Sequence, residues 1–519
     1  MRTRLTLLLS CALVLAVPAA ASGHPSNATN TFAFGLGGAT AALTHGSPVD
    51  DGGANFTKTR NMSLQSFAPR PLGTPNAFGD FISDLAFWGD KAYQGTFDGF
   101  RILDVDNPRK PKILLDYDQC ANTNGAGQGD VVVWGSILVR SWDSNTTNPA
   151  ASCDGEPVPA GTPGAPPTLG NGFEGLHVFD VSDPGNPDLV ASVDLKCGSH
   201  TASGVPDVSN RRLLVYSTPS NGACEGIDVV EVPLSRPEEA EALRFEFADT
   251  AVGAANNFAC HDTGVILGRA NKATCAGGVG FAVWSLGGRD GGSLDNPRFL
   301  YNRVVGHDVT VGHSAAFAWD GETIIFGHEP GGGVVPRCTA TGTMVTPTLA
   351  QTDDMKSFFF YDTDSGEEIG KWTLTRAQSM QENCTLHNYN VIPTKHDDIL
   401  VHGSYQSGIG VLDFSNPERA REIAFADPAP LPVPPAPATL QIGGDWGSYF
   451  YNGKIYESDI TRGLYIWELD ERDAEKAVRM RHLNPQTQEF TIGAKKDHDR
   501  WNEDDRWHGG NWGDGFDDD

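Results

Sequence analysis

A short phrase occurs seven times along this 519-residue chain: a small residue, usually Gly, then alternating apolar residues that often close on Asp and Pro. The copies are Gly99-Phe-Arg-Ile-Leu-Asp-Val, Gly175-Leu-His-Val-Phe-Asp-Val, Gly226-Ile-Asp-Val-Val-Glu-Val, Gly280-Phe-Ala-Val-Trp-Ser-Leu, Ser357-Phe-Phe-Phe-Tyr-Asp, Gly408-Ile-Gly-Val-Leu-Asp-Phe and Gly463-Leu-Tyr-Ile-Trp-Glu-Leu. Their spacings are 76, 51, 54, 77, 51 and 55 residues. The two long intervals contain Pro-, Gly- and Ser/Thr-bearing insertions at 145–172 and 330–356, and without them every period falls near 50. A fixed period of this length marks a repeat architecture, in which each unit is one supersecondary structure that buries its faces only against its neighbours.

Each copy lies in the same frame. A strand-like run precedes it, such as Leu213-Leu-Val-Tyr, Thr323-Ile-Ile-Phe or Ile399-Leu-Val-His, and a turn and outer run follow it, such as Lys112-Ile-Leu-Leu. Four short strands per unit, seven times over, predict an all-β seven-bladed β-propeller with four antiparallel strands per blade. A solenoid of equal period would carry helices, and a sandwich would not repeat seven times. The predicted divisions are 1–22 signal peptide, 23–59 flexible N-terminal segment, 60–483 propeller and 484–519 acidic Trp-containing tail.

The phrase running from Gly175 to Pro187, Gly-Leu-His-Val-Phe-Asp-Val-Ser-Asp-Pro-Gly-Asn-Pro, resembles the LVIVD-repeat family of secreted propellers, and 99–108 and 408–417 match the same pattern. The resemblance covers roughly 61–483. It departs at Ser285, Ser357 and Glu468, where the pattern has Asp, Gly and Asp. It implies the fold and an exported protein, and no single chemistry.

Export is also read from the N-terminus. Arg2 and Arg4, an apolar run from Leu5 to Val17 and Ala19-Ala-Ala21 follow the order of a secretory signal, with cleavage near Ala21 or Ser22. Cys11 would leave with it, and eight cysteines would remain, an even number suited to disulfides outside the cell. The chain carries 66 acidic against 38 basic residues, a formal charge of −28. That balance argues against nucleic acid as a partner, since phosphate contacts need clustered Lys and Arg. No interior apolar run is long enough to span a membrane.

In a propeller the innermost strands line the central channel. The connections between second and third strands lie on the face where innermost strands begin, so both insertions are expected to rim that face, as ligand-shaping loops or as tolerated loop growth. Paired in sequence order (Cys120–Cys153, Cys197–Cys224, Cys260–Cys275, Cys338–Cys384), the bridges all fall on the same face. The innermost strands are expected to start at Ser83-Asp84, Gly129-Asp130, His200-Thr201, His261-Asp262, His313-Ser314, His387-Asn388 and Gly444-Asp445. The small polar second position reads as a cap on the strand backbone. The first position gives four consecutive blades a histidine, and imidazole suits zinc, copper or iron. His200, His261, His313 and His387 are therefore the candidate metal ligands. Retention of an ancestral hydrogen-bonding residue is the structural alternative, and a turn position for His261 would leave three ligands.

Glu329, after the second strand of blade five, is the candidate catalytic residue. It would brace a ligating imidazole or act as general base on a metal-bound water. Without a metal it would be a solvated loop acid. Two functions fit these residues: an extracellular binding protein for another protein, a polymer or a small ligand, and a metal-dependent oxidoreductase or hydrolase using the four histidines. The acidic tail from Asp497, with Trp501, Trp507 and Trp512, reads as a solvated extension. Which end of the chain closes the last blade is open between residues 60–67 and 477–483.

Overall fold

The structure, a computed structural model, describes residues 51–493 apart from 72–80, 121–127, 144–152, 154–172, 221–223, 248–259, 310, 331–337, 339–351, 377, 380–381, 432–442, 473 and 481–486. The expected signal segment, most of both insertions and the tail beyond 493 lie outside the described residues. Within them the chain forms seven antiparallel sheets and no α-helix. Five sheets are made of four strands in chain order, a sixth adds a fifth strand to its four, and the seventh borrows its outer strand. This is the seven-bladed propeller expected from the repeat.

The repeat phrase is the third strand of each blade, and its recurrent features have local causes. A Cβ at Gly99 would sit 1.7 Å from the carbonyl of Tyr117 on the outer strand, and at Gly280 1.8 Å from that of Arg303. Gly175, Gly226, Gly408 and Gly463 meet an outer-strand carbonyl in the same way. The glycine is thus demanded by the close approach of the fourth strand. The Asp that ends the phrase turns the chain: Asp104, Asp180 and Asp413 accept the backbone N–H two residues on, at 3.1, 2.8 and 3.1 Å. Where the pattern departs, Ser285 stands in, its Oγ bonding within the 287–291 turn.

Second and third strands are almost wholly buried, while outer strands such as Lys112–Tyr117 are half-exposed. Faces of adjacent blades pack through large apolar side chains, as where Phe87 stacks on Tyr451 at 4.6 Å between blades one and seven. The ring is closed by the N-terminal side of the chain. Met62–Pro69 pairs antiparallel with Gly463–Leu469 as the outer strand of blade seven, and Thr57–Lys58 adds a fifth strand to blade six. A strand from the N-terminal side thus completes the last blade and closes the circle of blades.

All four disulfides connect cysteines in sequence order. Cys153 and Cys338, inside the insertions, are thereby anchored to Cys120 and Cys384 beside the strand-start face.

Candidate metal centre

The innermost strands are Ile82–Trp88, Val131–Trp134, Ala202–Asp207, Asp262–Ile266, Gly312–Phe317, Asn388–Val391 and Asp445–Tyr451. His200, His261 and His387 immediately or nearly precede three of them and His313 is second in its own. All four are buried. His261 belongs to the strand start and not to a far-face turn: its N–H bonds the carbonyl of Ala276 on the second strand at 2.7 Å. The four side chains line one cavity. Ring centroids follow one another at 4.4 Å (His200–His261), 3.9 Å (His261–His313) and 4.3 Å (His313–His387).

Each ring is held by its Nδ1. His200 Nδ1 lies 2.7 Å from Asp143 Oδ2, and His387 Nδ1 lies 2.6 Å from the carbonyl of Trp446. His261 Nδ1 meets Asp262 Oδ1 at 3.2 Å. His313 Nδ1 meets Ser314 Oγ at 2.6 Å and Asp262 Oδ2 at 3.3 Å. Acceptors at Nδ1 place the proton there and leave Nε2 with its lone pair facing the channel, the tautomer that ligates metals through Nε2. The second strand-start position, expected to cap backbone, does that and more. Thr201 Oγ1 bonds the carbonyl of His261 at 2.7 Å, but Asp262 and Ser314 orient the rings themselves.

Nε2 of His200 and Nε2 of His261 are 3.1 Å apart. Two lone pairs at that separation repel unless a proton or a metal ion lies between them. Burial, then the neighbouring His200, holds the His261 pKa below its ordinary value, and burial pushes His387 down to about 3. Burial therefore disfavours the imidazolium form of His261 and His387. Ligands at about 2.0–2.1 Å in a tetrahedron would stand roughly 3.3 Å apart, close to the spacing here.

Glu329 completes the centre. It is 1 % exposed, so it is not the solvated loop acid expected in the absence of a metal. Its Oε2 lies 3.9 Å from His313 Nε2, its Oε1 lies 3.7 Å from His387 Nε2, and Tyr405 donates its phenol to Oε1. One atom each from His261, His313 and Glu329 lies within 4.8 Å of the others, a group able to hold a metal ion. Burial raises the Glu329 carboxyl to about 8, against the Tyr405 hydrogen bond and with added repulsion from Asp262. The neighbouring His328 turns away, its Nε2 donating to the carbonyl of Asp354, and His402 packs its ring against Trp372 and Phe358.

Asp143 escaped the sequence reading although a signal existed. It directly follows the second strand of blade two, Ile137–Trp142, as Glu329 directly follows the second strand of blade five, Thr323–His328. Opposite the rings, Asp84 and Asp130 hydrogen-bond each other, and Tyr449 donates to Asp84 Oδ1 at 2.7 Å. Burial raises both carboxyls, Asp84 to about 6. The cavity lining also includes Tyr389, Trp446 and Asn388, with no Lys or Arg among the described residues.

No family model matches the chain, and no curated protein matches it. Solved structures that match include the computationally designed Ika8 protein, at 12% identity and a TM-score of 0.38, covering 75% of this chain and 96% of that one. The fold and site are accordingly defined by this chain's own sheets: a disulfide-bonded seven-bladed propeller with a buried His/His/Glu group at its channel. Among the described residues no helix is long and apolar enough to cross a membrane.

Proposed function

We propose that this chain is a secreted propeller of the LVIVD-repeat type that holds one transition-metal ion, of the zinc, copper or iron class, between His200, His261, His313 and His387. The carrying observation is the 3.1 Å approach of two Nε2 atoms whose rings both have an acceptor at Nδ1. An all-imidazole donor set with carboxylates behind it favours these metals over magnesium or calcium, which take oxygen ligands. The even set of four bridges fits an extracellular life.

At that centre the propeller binds a small polar molecule, and the placement of Glu329 favours a metal-dependent enzyme, oxidoreductase or hydrolase, over a passive binding scaffold. The Glu329 carboxyl, 3.9 Å from His313 Nε2 and 3.7 Å from His387 Nε2, is placed to exchange a proton with a ligand held there. The metal would polarise that ligand, while Tyr405 fixes the carboxylate and the Asp84–Asp130 pair presents a shared proton across the cavity. Elemental analysis of the purified protein tests the reading. About one transition-metal ion per chain, lost in His313→Ala, is the expected result; a protein that stays metal-free after incubation with Zn(II), Cu(II) and Fe(II) rejects it.

A further inference from the structure

Innermost strands are sheet edges, so alternate carbonyls face the channel with no strand to pair them. In the four histidine blades one such group recurs at a fixed offset. It is the carbonyl four residues beyond the histidine: Gly204, Val265, Phe317 and Val391. A single segment near the C-terminal end of the described chain meets three of them. Thr487 Oγ1 donates to Gly204 O, Gln488 N to Val265 O at 3.0 Å, and Gln488 Nε2 to Phe317 O at 2.9 Å. The fourth, Val391 O, accepts Trp319 Nε1 at 2.7 Å. Trp319 is itself held by the segment, its carbonyl accepting Ile492 N at 2.8 Å and its ring packing on Phe490.

The segment is built in, not draped. Gln488 O accepts Leu267 N at 2.8 Å, and Thr491 Oγ1 both donates to Leu267 O and accepts Arg269 N. At Gly268, with φ +81°, a Cβ would stand 2.9 Å from Thr491 N. Thr487, Gln488 and Ile492 are buried, and Gln488 lines the cavity that holds the rings.

We propose that residues 487–492 are a strap that closes the far end of the channel and sets the spacing of the four imidazoles, with Thr487 and Gln488 as positioning residues. Four residues of extended strand span roughly 13 Å from each histidine to its tethered carbonyl. Tying the far ends of three such strands to two consecutive residues fixes their lateral separation, and that separation is carried to the rings. A metal centre needs ligand placement within about 0.5 Å, so the strap acts on the rings through the strands that carry them. The cavity is consequently floored at that end, and a ligand reaches the rings from the disulfide-bearing strand-start face. The metal readout below rests on the proposed function; the ring geometry does not.

The test uses the full chain carrying Thr487→Val or Gln488→Ala, with Co(II) as the probe metal. Each variant is expected to bind Co(II) at least about tenfold more weakly than the parent and to change its visible absorption bands, with Thr487→Ser restoring both. In metal-free protein the ring ¹⁵N shifts of His200 and His261 are expected to move as their contact loosens. Unchanged Co(II) affinity, spectrum and ring shifts overturn the proposal, as does a lowered melting temperature with all three unchanged. A parent that takes up no Co(II), with ring shifts that still move in the variants, removes the metal and supports the strap.

Discussion

The Glu329 carboxyl shows how burial converts a side chain into a pH-dependent term. Its folded pKa, about 8, lies above the ordinary 4.5, so the folded metal-free protein keeps a proton that the unfolded chain gives up. Its stabilising share is full below about 4.5 and is lost as pH rises toward 8, at about 1.4 kcal/mol per pH unit in the limit. Glu329→Gln removes this dependence. Denaturant unfolding of metal-free protein between pH 5 and 8 is predicted to show a shallower fall in stability for the variant than for the parent; parallel curves would contradict the placement. A second residue prediction concerns Asp143, whose carboxylate fixes the His200 tautomer. Asp143→Asn should weaken metal binding by about 10- to 100-fold while the fold is retained, read by competition with a chromophoric chelator.

At the scale of the strand, the glycine that opens each repeat phrase is the clearest structural demand. Gly280→Ala would drive a methyl into the Arg303 carbonyl and push the outer strand of blade four from its neighbour. A loss of about 1–3 kcal/mol is predicted by thermal or denaturant unfolding. Ser357, which holds the corresponding position in blade five, has both its oxygen contacts satisfied, by Asp353 O and Thr373 Oγ1 at 2.7 Å each. This level was the most legible in the sequence, because strand alternation, the glycine and the Asx turn are local and recur from copy to copy. The histidines were legible for the same reason: aligned strand starts share a place in the ring. Asp143 and the strap were not, because their partners lie 57 to 283 residues away and only the closed ring brings them together. Glu329 was found as an acid near the mouth, but its burial depends on Tyr405, which arrives from the next blade.

For the whole molecule, ring closure is the property on which the centre depends. Four imidazoles on four separate blades meet only if all seven blades close around one axis. The closing strand, Met62–Pro69, is supplied by the opposite end of the chain from Gly463–Leu469. A chain beginning at residue 72 should therefore lose cooperative unfolding and metal binding together, whereas one beginning at residue 51 should keep both. Calorimetry of the two chains checks this; metal uptake surviving in the shorter chain would show that the cage does not need the closed ring.

X-ray absorption spectroscopy of the metal-loaded protein addresses the shared cage directly. Three or four imidazole nitrogens at roughly 2.0–2.1 Å, with the outer-shell scattering of the rings and its loss in His261→Ala, are predicted. A first shell of oxygen alone, or imidazole scattering that persists when His261 and His313 are both replaced, would contradict a single ion held between the blades.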